Sequence, residues 1–134
     1  MLSINLSAGE MILGRWLYTG FVYEGQEYAP LDPDLVLYFD FYPEGLSTLQ
    51  WSWNNTAAFC SRQALYTQTE DILEQWVVWV NPENSSRCQG DPDMKIGTRS
   101  QTKYFIKENH LYLELSLDGK PLYYKLTKQN FNGG

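Results

Sequence analysis

The sequence predicts an all-β protein: an eight-stranded antiparallel up-and-down barrel with a short N-terminal helical turn. Three observations lead there. Aromatic residues make up 16% of the 134 positions, a surplus that suits pleated sheet better than helix. Short runs of alternating apolar and polar residues recur between turn signals. The connections between runs are mostly short, and closing a meander of hairpins into a barrel removes both unpaired edges.

The elements follow in order. Ser7 to Leu13 is the one helical candidate, with Ser7 as cap and Glu10 three residues later, as in a capping box. Trp16 to Glu24 is the first strand, broken by Gly25. Leu35 to Tyr42 places Leu35, Leu37, Phe39 and Phe41 on one face and ends at Pro43-Glu44-Gly45. Leu46 to Trp53 alternates Leu49, Trp51 and Trp53 with Gln50 and Ser52, then stops at Asn54-Asn55. Phe59 to Thr69 and Ile72 to Val80 flank a turn at Glu70-Asp71. A loop rich in Pro, Gly, Ser and Asn spans 81–97. Thr98 to Lys107, Leu111 to Leu117 and Pro121 to Lys128 complete the eight strands. Asp118-Gly119, between the last two, is the strongest hairpin signal, because the Asp-Gly pair tolerates the positive φ of a tight turn.

The length suits one domain over 1–134. No apolar run approaches 18 residues, so no membrane span is expected. The net charge of −6 argues against a nucleic-acid partner, because phosphate contacts need clustered Lys and Arg. Arg15 is the only base before Arg62, whereas seven bases lie from Lys95 onward. This asymmetry either steers a cationic partner toward the first half or is a solvated surface.

Cys60 and Cys88 are the two cysteines. With the lone His110 they are too few for a structural zinc site, and their spacing is not C-x-x-C. The choice is a disulfide or two buried thiols. Cys88 sits in a polar loop, which favours the disulfide, worth roughly 3–4 kcal/mol in the chain-entropy model. That implies an oxidising compartment, hence a secreted or periplasmic protein. The first ten residues lack a basic n-region and a long apolar stretch, so no signal peptide is visible: either the chain is cytoplasmic or a leader has been replaced by Met1. The sequons at Asn5, Asn54 and Asn84 carry weight only in a glycosylating pathway.

Gly14-Arg15-Trp16, following a short helical turn and opening the first of eight strands, resembles the lipocalin family of the calycin barrels. Pro43-Glu44-Gly45 after Phe-Asp-Phe-Tyr and the basic last strand Tyr123–Lys128 are similar as well. The resemblance implies that Lys125 or Lys128 lies across the Trp16 ring in a cation–π contact and closes the barrel floor. It also implies binding of a small, largely apolar ligand in the lumen.

Candidate site residues are those whose phase points inward. Phe39, Phe41, Trp53 and Trp76 are expected to line the lumen, and Tyr18, Arg62, Tyr66, Tyr104 and Tyr124 to orient the ligand. Trp16 reads as the plug of the closed end, or else as part of the pocket. Arg62 and Glu74 either lie inside the lumen, where they pair or bind a ligand's opposite charge, or form a cross-strand pair outside it. Both faces of Ile72–Val80 are apolar, so one must meet a helix, a loop or a partner. His110 has no accompanying nucleophile motif, and Asp32-Pro33-Asp34 and Asp91-Pro92-Asp93 read as turns rather than calcium loops. No enzyme, cofactor or metal site is expected. The alternative function is a protein-interaction or inhibitor module that uses the 81–97 loop over a filled lumen.

Overall fold

Alternation along each strand is what closes this sheet: one face of every run is apolar, and a closed barrel turns all of those faces inward. The computed structural model describes residues 12–130. The expected helical turn at 7–13 therefore lies, apart from Ile12 and Leu13, outside the described residues. The strands are β1 (Gly14–Tyr23), β2 (Gln26–Tyr28), β3 (Leu35–Phe41), β4 (Leu46–Trp53), β5 (Phe59–Thr69), β6 (Ile72–Val80), β7 (Arg99–Lys107), β8 (His110–Leu117) and β9 (Lys120–Gln129). Eight of them, all but β2, pair antiparallel in chain order, and β1 pairs with β9 to close the barrel.

The extra strand β2 departs from the eight expected. β1 changes partner halfway: Gly14 to Leu17 pair with β3, whereas Phe21 to Tyr23 pair with β2. The switch occurs at a bulge between Tyr18 and Gly20. A Cβ on Gly20 would lie 2.4 Å from the Tyr28 carbonyl oxygen, so only glycine lets β2 approach there. Three residues of pairing are too few to show as an alternating run, which is why β2 is not legible in the sequence.

The two barrel ends differ. At the closed end, Trp16 is buried, its indole N–H donates to the Ile12 carbonyl at 2.7 Å, and Lys128 covers the ring. Phe39 stacks on Phe41, and Phe41 meets Tyr66 edge-on. Outside this floor, Arg15 clamps Asp40 through two hydrogen bonds of 2.9 and 3.0 Å, tying β1 to β3. The pairing holds the Arg15 guanidinium above its ordinary pKa.

The opposite end carries 24–34, 54–58, 81–98 and the Asp118-Gly119 turn. Asp118 and Gly119 have φ of 53° and 77°, as the hairpin signal predicts. Cys60 and Cys88 form a disulfide, with Cα atoms 6.5 Å apart. It fastens the 81–97 loop to β5.

Candidate functional site

The lumen is filled at its floor, and at one side of its mouth inward side chains stay partly exposed. Leu49, Leu73, Leu111, Leu113, Leu126, Phe39, Phe41 and Tyr104 form one buried cluster with Trp16. Cys88 and Met94 belong to the same cluster although they come from the 81–97 loop. The loop is therefore a plug. Two short 3-10 turns, Ser86–Cys88 and Pro92–Met94, shape it, capped by the Ser85 and Asp91 side chains. Asn84 anchors it by accepting from the Ser61 backbone N–H and donating to the Ser61 carbonyl.

At the mouth the wall formed by β8 and β9 is apolar and only partly covered. Leu115, Leu117 and Tyr124 point inward by register, since Leu113 faces Tyr124 and Leu115 faces Leu122. Yet they are 42%, 46% and 40% exposed. Phe21 stacks on Tyr28 beside them, with ring centres 5.0 Å apart, and Tyr18 meets Tyr124 edge-on at 5.4 Å. The Tyr124 phenol is pushed up by desolvation and then by the negative charges of Asp91 and Asp93. Tyr18 is raised by desolvation and by Tyr124.

Arg62 is the charged group of the interior, 2% exposed. Its guanidinium donates to Ser47 Oγ at 3.1 Å and Gln75 Oε1 at 3.3 Å, and lies 5.2 Å from the Phe39 ring centre. Desolvation pushes its pKa down to about 10, opposed by Asp93. The Asp93 carboxyl is itself pushed up, first by desolvation, then by Asp91, and pulled down by Arg62. Asp93 as a residue is exposed, so that desolvation is partial.

The nine residues predicted for the site fall into three places. Phe39, Phe41, Tyr66 and Tyr104 pack in or against the floor cluster. The Tyr66 hydroxyl donates to the Tyr42 carbonyl at 2.7 Å, and the Tyr104 hydroxyl donates to the Glu70 carbonyl and accepts from Gln68. Tyr18, Trp53, Arg62 and Tyr124 sit higher in the lumen, with the Arg87 guanidinium 4.7 Å from the Trp53 ring centre. Trp76 is a correction: it lies on the outer wall, 42% exposed, paired with outward Leu65 and covered on one side by Arg99. Both faces of β6 are apolar, so alternation alone does not choose between them. An unpaired extra residue, Val78, then shifts the phase, because Ala64 faces Val77 while Gln63 faces Trp79. Trp79 consequently joins Trp76 outside.

Glu74 is also outside, accepting from Gln101, so the Arg62–Glu74 pair does not form in the lumen or on the surface. Gln75 takes the inner position instead. Around Trp76 a shallow outer groove of about 540 Å³ runs between β5, β6 and β7, lined by Leu65, Thr67, Glu74, Trp76, Arg99 and Gln101 among others. Sequence reasoning missed Phe21, Tyr28, Leu115 and Leu117 as site residues. The signal for the two leucines was present: their alternating run continues inward up to the Asp118-Gly119 turn, where no plug follows.

No protein-family model matches the chain, and no curated protein matches it. Two solved structures do. One is a lipocalin-like protein from Bacteroides uniformis, 13% identical, with a TM-score of 0.59 over 89% of this chain and 99% of that one. The other is an uncharacterized protein from Bacteroides eggerthii, 14% identical, with a TM-score of 0.54 over 88% of this chain and 99% of that one. At such identities the likeness is one of fold: this chain has a lipocalin-like barrel fold.

Proposed function

We propose that the protein binds a small, largely apolar ligand in the upper lumen, outside the cytoplasm, as a secreted or periplasmic binding protein rather than an enzyme. The observation that carries this reading is the set Leu115, Leu117 and Tyr124, inward by register and still 40–46% exposed. Inward apolar side chains at the floor are covered by one another. These three are only partly covered, Tyr124 by Tyr18, and a ligand would complete the cover. Burying about 200 Å² of apolar surface there contributes about 5 kcal/mol before ordering costs. A lipocalin-like fold is compatible with ligand binding in a lumen, and the disulfide is compatible with an oxidising compartment. The single imidazole, His110, pairs with Thr127 on the outer wall, away from the lumen.

The test is a titration with a neutral apolar dye, 1-N-phenylnaphthylamine, followed by dye emission and by melting temperature. Saturable binding that raises the melting temperature, and that weakens at least fivefold in Leu117→Asp, is the expected result. If neither that dye nor a panel of neutral apolar molecules binds, the lumen reading fails. The 81–97 loop, with Ile96 exposed on it, then becomes the candidate contact for a protein partner.

A further inference from the structure

Resting on that reading, we propose that the ligand carries an anionic acceptor, a carboxylate or a group of like shape and charge, seated between Arg62 and Trp51, with its apolar part running to the mouth. Two orphaned donors point to it. Arg62 Nε is buried and has no hydrogen-bond partner. Trp51 Nε1 is buried and has none either. They lie on neighbouring strands, since Leu49 faces Arg62 and Trp51 faces Cys60, and both side chains belong to the inner face.

A buried guanidinium normally finds a carboxylate, because leaving its charge uncompensated in a low-dielectric interior is costly. Among the described residues no carboxylate lies within ion-pair distance of Arg62. Its partners, Ser47 and Gln75, are neutral. A two-oxygen anion matches what is left over: one charge, and acceptors for two N–H groups on adjacent strands. A purely apolar ligand would leave both donors bare, and a cationic one would add repulsion.

Asp93 is the internal rival of such an anion. The Pro92–Met94 turn packs on β5 and β6, Met94 is buried in the core, and Asp93 is the acid whose charge Arg62 feels. A bound anion takes over that role, and the exposed Asp93 side chain can be relieved of it without losing a direct bond to Arg62. Removing the Asp93 charge should therefore strengthen anion binding.

The test compares decanoate with decan-1-ol, which share a chain and differ in head group, by calorimetric titration of the intact disulfide-bonded protein near neutral pH. The expected result is a preference of at least tenfold for decanoate. Arg62→Gln should abolish most of it, Trp51→Phe should reduce it severalfold, and Asp93→Asn should increase it. If Arg62→Gln fails to fold, the wild-type preference and the Trp51→Phe and Asp93→Asn shifts still decide. Equal affinity for acid and alcohol overturns the anion proposal and leaves lumen binding intact. Binding of the neutral dye without binding of decanoate does the same. If neither decanoate, decanol nor the dye binds, lumen binding itself fails and the anion proposal falls with it.

Discussion

The Lys128 ammonium lies 4.8 Å from the centre of the Trp16 ring and donates to the Leu13 carbonyl. Of the two candidates on the last strand, the ring takes Lys128, while Lys125 turns outward to Glu27. Gly14 makes this possible, because a Cβ there would sit 2.8 Å from Lys128 Nζ. The motif Gly14-x-Trp16 is thus a packing requirement: glycine leaves room for the lysine, and the lysine covers the tryptophan. Burial lowers the Lys128 pKa, a cost that the carbonyl and the ring offset. Lys128→Met should lose about 1 kcal/mol of stability. Trp16→Ala should lose about 3–5 kcal/mol. Urea denaturation measures both, and a Lys128→Met curve superimposing on wild type would remove the ring contact from the account.

Trp76 and Phe41 provide a test of which way β6 faces. With Trp76 on the outer wall against Arg99, Trp76→Ala should cost about 1 kcal/mol or less. Phe41→Ala, inside the floor, should cost about 3–5 kcal/mol. Equal losses at the two positions would place Trp76 in the core after all, and acrylamide quenching of Trp76 as the sole remaining tryptophan gives a second check.

Four phenols, Tyr18, Tyr66, Tyr104 and Tyr124, are held above their ordinary value, chiefly by desolvation. In the unfolded chain they ionise near pH 10. Just above that pH the folded protein keeps protons that the unfolded chain has lost, so stability falls as pH rises through the window. Arg62 has the opposite sign. Its folded pKa of about 10 lies below the ordinary guanidinium value, so the unfolded chain holds the extra proton and stability rises as pH climbs above about 10. Lys128, lowered by burial, adds to Arg62, and Lys125, raised by its hydrogen bond to Glu27, adds to the phenols. Just above about pH 10 the raised groups therefore outnumber the lowered ones, and the melting temperature should drop there. Tyr124→Phe should make that drop shallower. A melting temperature that is flat or rising across the same range would contradict the burial of these hydroxyls.

Much of the architecture was legible in the sequence because its cause is local. Period-two alternation marked the eight barrel strands. Asp118-Gly119 marked its hairpin, and Cys88 in a polar loop marked the disulfide. A lysine from the last strand across Trp16 was expected from the resemblance to the lipocalin family, carried by Gly14-Arg15-Trp16 and the basic last strand. The tertiary structure decided the rest. Alternation separates two faces without saying which is inner when both are apolar, and one extra residue at Val78 reverses the phase for everything beyond it, so Trp79 joins Trp76 outside. β2 exists because Gly20 admits a backbone approach that no pattern announces. The plug brings Cys88 and Met94 into a core built from strands far away in the chain, and whether a lumen is filled depends on how side chains from opposite walls meet. Arg62 shows the same limit: its inward phase could be read from its neighbours, but its neutral partners and its unpaired Nε depend on Gln75, not Glu74, arriving across the strand.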